Sequence, residues 1–141
     1  ALSIALCHPY SGARVGFIFG TADKLDLLRE KLGPWPLSHP SRAVARQALD
    51  DHTWQATTRK QLLANSRRLA DLLVPLGDVS RTALFCTVAA PAVETLAEHF
   101  ARRAILTRRF DQHGLLRFGL PGEEVEWQRL AAAIAEWKAP C

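Results

Sequence analysis

The sequence predicts an α+β protein in which a long amphipathic helix precedes a strand–helix–strand–strand–helix unit. Three observations carry that reading. Trp54, Thr58, Leu62, Asn65, Leu69 and Leu72 follow one another at steps of three and four, the period of one helix face. Short apolar or β-branched runs over 83–88, 105–110 and 115–119 then alternate with an amphipathic segment. A further strand-like run, Ala13 to Phe19, stands near the start with a single helix after it. Such a strand cannot bury both faces alone and needs a sheet supplied from elsewhere.

Taken in order, Ala-Arg-Val-Gly-Phe-Ile-Phe at 13–19 is β-branched and aromatic, and Gly20 closes it. Thr21 stands at the N-cap of a short helix whose Leu25, Leu28 and Leu32 share a face, and Gly33-Pro34 ends it. Gly33 to Ser38 carries two prolines two residues apart and is read as a rigid connector. A short helix is expected over Ser41–Leu49, and the long one from Asp51 to the Pro75 and Gly77 stop. Pro91 is placed at a first helical position, with Val93, Leu96, Ala97 and Phe100 inward. Asp111 to Gly114 is a turn between the last two strands. Pro121-Gly122-Glu123-Glu124 opens the final helix, where the two glutamates favour the positive end, and Trp127, Leu130, Ala131, Ile134 and Trp137 face the core. Trp35 and Trp54 are also read as core or domain-contact residues.

At 141 residues, 48% hydrophobic and 23% charged, the chain is long enough for one folded core and is not of disordered composition. No apolar run reaches the ~18–20 residues of a membrane span. Cys7, Cys86 and Cys141 are odd in number and widely spaced, which points to reduced thiols in a cytoplasmic protein. The five histidines show no metal-ligand spacing, so no metal is expected. The net charge of +4 comes from arginines scattered over helix faces, so nucleic acid is not an expected partner. The cluster Arg102, Arg103, Arg108 and Arg109 is read as a solvated face in preference to a ligand site. There is no methionine, and the chain opens in mid-strand. The expectation is either loss of an initiator before Ala1 or a piece of a longer protein.

Ser11-Gly12-Ala13-Arg14-Val15-Gly16-Phe17 resembles a segment of the fold-type-I pyridoxal-phosphate (PLP) enzymes, the class I/II aminotransferase superfamily. In the threonine-phosphate decarboxylase and histidinol-phosphate aminotransferase group that region reads S-x-G-K-x-x-G-L-A-G-x-R-x-G-[FY]. Its lysine forms the Schiff base, and its serine and arginine hold the cofactor phosphate. Arg14 falls on the arginine and Ser3 on the serine, while the lysine position falls on Leu6. Leu32-Gly33-Pro34-Trp35-Pro36-Leu37-Ser38, Leu84-Phe85, and Arg117-Phe118-Gly119-Leu120-Pro121 with Glu124 and Trp127 are similar to segments of the cobalamin-pathway decarboxylases.

The resemblance implies the C-terminal small domain of a PLP-dependent transferase fold. Residues 1–32 would be a remnant of the large cofactor domain, 33–76 the connector and long helices, and 77–141 the small domain. It implies PLP as cofactor, with Arg14 and Ser3 on its phosphate, and Arg117 on the substrate carboxylate. Arginine suits both anion sites because its planar fork gives paired charge-assisted hydrogen bonds. The full enzyme would act, as a homodimer, on a small amino-acid phosphate. Leucine forms no imine, and Lys24, Lys31, Lys60 and Lys138 sit in or beside helices at positions expected to face water. No catalytic residue is therefore assigned, and the chain alone is expected to be inactive. A histidinol-phosphate-type aminotransferase is the alternative within the superfamily. A non-catalytic degenerate relative or small basic binding domain is the alternative outside it.

Overall fold

The computed structural model describes residues 15–137 and the backbone of residues 2–5; Leu6, Arg14 and Lys138 lie outside the described residues. The chain divides into two compact units, Ala1–Ala56 and Thr57–Cys141.

In the first unit β1 (Leu2–Ala5) pairs antiparallel with β2 (Gly16–Phe19), placing Ser3 opposite Ile18. Helix α1 (Ala22–Leu32) follows at the expected place. Thr21 occupies the N-cap, but its side chain caps no backbone N–H; its hydroxyl bonds the Asp23 carboxylate and lowers that group's pKa. Gly33 ends the helix at φ 72°, a conformation that favours glycine, and its N–H donates to the Arg29 carbonyl at 3.0 Å. None of the residues of α1 is fully buried; of its leucine stripe Leu25 and Leu28 are half-buried and Leu32 is exposed.

Helix α2 (His39–Asp50) begins two residues earlier than Ser41. Ser38 Oγ accepts the Ser41 N–H at 3.3 Å, and Pro40 is tolerated in a first turn whose N–H groups have no helical partner. Trp35 is no core residue here: it is 74% exposed in the irregular Gly33–Ser38 connector, with its ring 5.8 Å from that of His39. Helix α3 (His52–Leu73) starts where Asp51 Oδ1 accepts the Trp54 N–H at 2.8 Å.

The second unit is a four-stranded antiparallel sheet with helices on one face. Its strands are β3 (Asp78–Arg81), β4 (Phe85–Ala89), β5 (Arg108–Phe110) and β6 (Leu115–Gly119), in the order β3-β4-β6-β5. Helices α4 (Val93–Ala101) and α5 (Glu124–Ala135) complete it. Three expectations are corrected. Strand β3 was not foreseen, because Asp-Val-Ser-Arg offers one apolar residue, and an edge strand needs no more. The segment expected as a strand from Ile105 is extended only over Arg108–Phe110. Ala104 turns the chain at φ 57° after α4, and Leu106 is 92% exposed. Pro91 lies in a turn before α4, which starts at Val93.

Strand alternation sends Cys86, Val88, Leu116 and Phe118 to the helix side, where they pack with Leu69, Leu73, Leu96, Phe100, Trp127, Leu130 and Ile134. The Phe100 and Phe118 rings meet edge to face at 5.1 Å. Trp127 is buried, as the periodicity of the last helix requires, and Trp137, expected on the same helix face, instead follows the helix end and is partly buried against this core. Gly77 joins the α3 end to β3 at φ 148°, and a Cβ there would run into the Ala89 carbonyl oxygen. Only glycine fits that crossing.

Candidate functional site on the open face of the sheet

The antiparallel register dictates what the face of the sheet away from the helices carries. Across its middle run Ser80, Thr87, Arg117 and Arg108, each the cross-strand partner of the next. Phe85 lies opposite Gly119 and Phe110 opposite Leu115, so both rings are diagonal neighbours of Arg117. Diagonal pairs are within reach of long and aromatic side chains. The Arg117 guanidinium accordingly sits 4.9 Å from the Phe85 ring centre and 5.7 Å from that of Phe110. Arg108 lies over the other part of this surface, 5.1 Å from the Phe110 ring centre. Ring faces attract a cation without neutralising it, so they orient the guanidinium and leave its N–H donors available.

The neighbouring arginines are used differently. Arg109 pairs with Glu94 at 3.1 Å and with Asp111 at 3.0 Å, and these carboxylates raise its pKa further. Arg103 pairs with Glu136 at 2.7 Å and Arg102 with Glu98 at 2.6 Å. These three are structural ion pairs at the surface. Among the described residues, no carboxylate lies within ion-pair distance of Arg108 or Arg117. Two cations on adjacent strands, facing one way and without a carboxylate partner among the described residues, make a surface suited to an anion or to a molecule with two anionic groups. The sequence singles out Arg117 by its motif and sets Arg108 within a solvated arginine cluster. The separation of the two in sequence is set by the β5–β6 turn, and only the register brings them together.

The other predicted residues are placed less completely. Ser3 belongs to β1, and Arg14 lies outside the described residues. The described lysines, Lys24, Lys31 and Lys60, are exposed on α1 and α3. Arg117 and Arg108 thus offer a pair of cations to an anion, and the described residues alone do not make up a PLP site. The glutamates that open α5 divide their work. Glu123 accepts from the third helical N–H while Glu126 accepts from the Glu123 and Gly122 N–H groups, a reciprocal capping box. Those N–H donors lower the Glu126 pKa. Glu124 instead grips Arg68 of α3 with both oxygens, at 2.7 Å for one of them, and Arg68 also stacks 4.3 Å from the Trp127 ring centre. The Glu-x-x-Trp string of the terminal motif is thus a latch on the long helix. Among the described residues no cluster of three or more His, Cys, Asp or Glu is placed to hold a metal, and no helix is long and apolar enough to cross a membrane.

The mixed helix and sheet architecture is consistent with the α+β class expected from the sequence. The family model for aminotransferase class I and II matches residues 10–134, and the chain belongs to that family. Among individual proteins, it is 44% identical over 132 residues to a threonine-phosphate decarboxylase of Pseudomonas aeruginosa, across 92% of this chain and 40% of that protein. It is 32% identical over 146 residues to histidinol-phosphate aminotransferase 2 of Burkholderia mallei, across 95% of this chain and 40% of that one. A threonine-phosphate decarboxylase of Sinorhizobium sp. is 30% identical over 131 residues, with 89% and 38% covered. The chain therefore spans about 40% of the length of these relatives.

Proposed function

We propose that this chain is the C-terminal part of a PLP-dependent, threonine-phosphate decarboxylase-like enzyme of cobalamin biosynthesis, and that Arg117 is its substrate-carboxylate clamp. The observation that carries the reading is the Arg117 guanidinium beside the Phe85 and Phe110 rings on the sheet face away from the helices, with no carboxylate of the described residues to neutralise it. Arg108 beside it matches a substrate that carries a phosphate as well as a carboxylate. The decarboxylase is preferred to a histidinol-phosphate-type aminotransferase by the 44% against 32% identities and by the Leu-Gly-Pro-Trp and Phe-Gly-Leu-Pro strings. In this reading the full-length enzyme works as a cytoplasmic homodimer on a small amino-acid phosphate. PLP, when bound, supplies the electron sink for bond breaking at the α-carbon. Arg14 and Ser3 are its proposed phosphate contacts. With Leu6 at the lysine position and the described lysines exposed on helices, the chain by itself is inactive.

The test is a titration of the chain with O-phospho-L-threonine, followed by NMR. Hydrogen bonds to charged groups suggest that Arg117→Gln weakens binding roughly tenfold to a hundredfold. Equal affinities of the two proteins would refute the clamp. Incubated with PLP and O-phospho-L-threonine, the chain is expected to release no carbon dioxide. Release above a protein-free control would refute its inactivity.

A further inference from the structure

Ser66 is the one buried polar residue among the described residues, with 0% of its surface exposed, and it lies on α3 amid Leu69, Leu73 and Cys86. A hydroxyl in such a place costs stability unless it is bonded. It donates to the Thr82 carbonyl oxygen, and the Ser66 carbonyl accepts the Cys86 thiol at 3.6 Å. Thr82 begins the tight turn between β3 and β4, and the Leu84 N–H and both backbone polar atoms of Phe85 bond to it. Its N–H donates to the Phe85 carbonyl at 2.9 Å. Its hydroxyl donates to the same carbonyl at 3.1 Å and accepts the Leu84 and Phe85 N–H groups, each at 3.2 Å. The turn therefore fixes the backbone of Phe85 on both its polar atoms. Phe85 faces Gly119 across the strands, so no cross-strand side chain competes for the space its ring takes beside Arg117.

We propose that Thr82, anchored by Ser66, is a positioning residue for Arg117: it fixes Phe85, and the Phe85 ring holds the guanidinium in its anion-binding orientation. This rests on the clamp assigned to Arg117 above. The physical gain is preorganisation. An arginine on an open sheet face otherwise loses rotamer freedom when it binds, and a ring that already orients it removes part of that cost. Thr82 is itself exposed, so its hydroxyl serves the turn and not the burial of a core.

The experiment uses the whole chain and two readouts. The first, in ligand-free protein, is the Arg117 Nε–Hε resonance, which the nearby ring faces displace by their ring currents. The second is the affinity for O-phospho-L-threonine. Thr82→Val is expected to leave the melting temperature within a few degrees. It is expected to move the Arg117 resonance toward the position of an unstacked arginine, and to weaken binding roughly twofold to tenfold. Thr82→Ser, which keeps the hydroxyl, is expected to restore both. Phe85→Leu, which keeps the turn and removes the ring, is expected to reproduce Thr82→Val. An unmoved Arg117 resonance in Thr82→Val overturns the inference, and so does an unchanged affinity where the parent protein binds. If the parent protein shows no Arg117-dependent affinity, the function proposed above fails instead, and the resonance alone decides the positioning.

Discussion

Replacing Phe118 by leucine tests whether the sheet is held by the packing described. Phe118 is 2% exposed, and its ring meets that of Phe100 edge to face at 5.1 Å with planes 87° apart. It also directly follows Arg117 on β6, so its anchoring on the helix side helps fix which way Arg117 points. Leucine keeps an apolar side chain but removes the ring. The lost aromatic pair is worth about 0.5–1.5 kcal/mol, and the space left behind adds to it because the surroundings collapse only in part. The combined expectation is roughly 1–3 kcal/mol. For a unit the size of residues 57–141 that corresponds to a fall in Tm of very roughly 5–20 °C. The assay is urea unfolding of the parent, Phe118→Leu, Phe100→Leu and the double variant. The two single effects should fail to add, with a coupling of about 0.5–1.5 kcal/mol. Additivity within about 0.3 kcal/mol would show that the rings do not interact, and the arrangement of α4 on β6 would have to be revised.

Three other predictions follow from the same structure. Gly77→Ala should be strongly destabilising, by more than an ordinary surface change, because its Cβ meets the Ala89 carbonyl and φ is 148°; a melting curve within a degree of the parent would contradict this. Glu126 has its pKa lowered in the fold by the Gly122 and Glu123 N–H groups, so the stability it confers is present above the ordinary value of 4.5 and is lost as pH falls through the lower folded value. In Glu126→Gln that part of the acid loss should disappear, and pH-dependent unfolding curves of identical shape for both proteins would count against the capping box. The Cys86 thiol is fully buried, and burial raises its pKa, so a thiol reagent at neutral pH should label it only after denaturant is added. Rapid labelling at Cys86 in the folded protein, located by peptide mapping, would mean that β4 is not covered by α3.

How much of this was legible beforehand depended on the range of the interactions involved. The long helix, the last helix and strand β6 were readable because each carries its own period: Leu69 and Leu72 on one face of α3, Trp127, Leu130 and Ile134 on one face of α5, and Leu116 with Phe118 alternating against Arg117 in β6. The stop at Gly33 was readable because one residue's backbone freedom decides it. Strand β3 was not, since Val79 alone faces the core and its pairing with β4 supplies the rest. The strand expected from Ile105 was shortened by the turn at Ala104, which the β-branched composition does not announce.

For the site, the sequence by itself pointed to the family and made Arg117 the candidate, because an arginine inside a distinctive terminal string is a local signal. It also supplied the absence of a lysine at position 6. The tertiary structure decided which of the other arginines are ion-paired. Arg102, Arg103 and Arg109 found carboxylates on neighbouring turns and helices, whereas the register of β5 on β6 set Arg108 beside Arg117 on the face away from the helices. It also gave Glu124 and Trp127 to Arg68, and Ser66 to the Thr82 turn, across long separations in the chain. Periodicity and motif fix what a residue can do. Which charge stays unneutralised is settled only when strands far apart in sequence are brought into register.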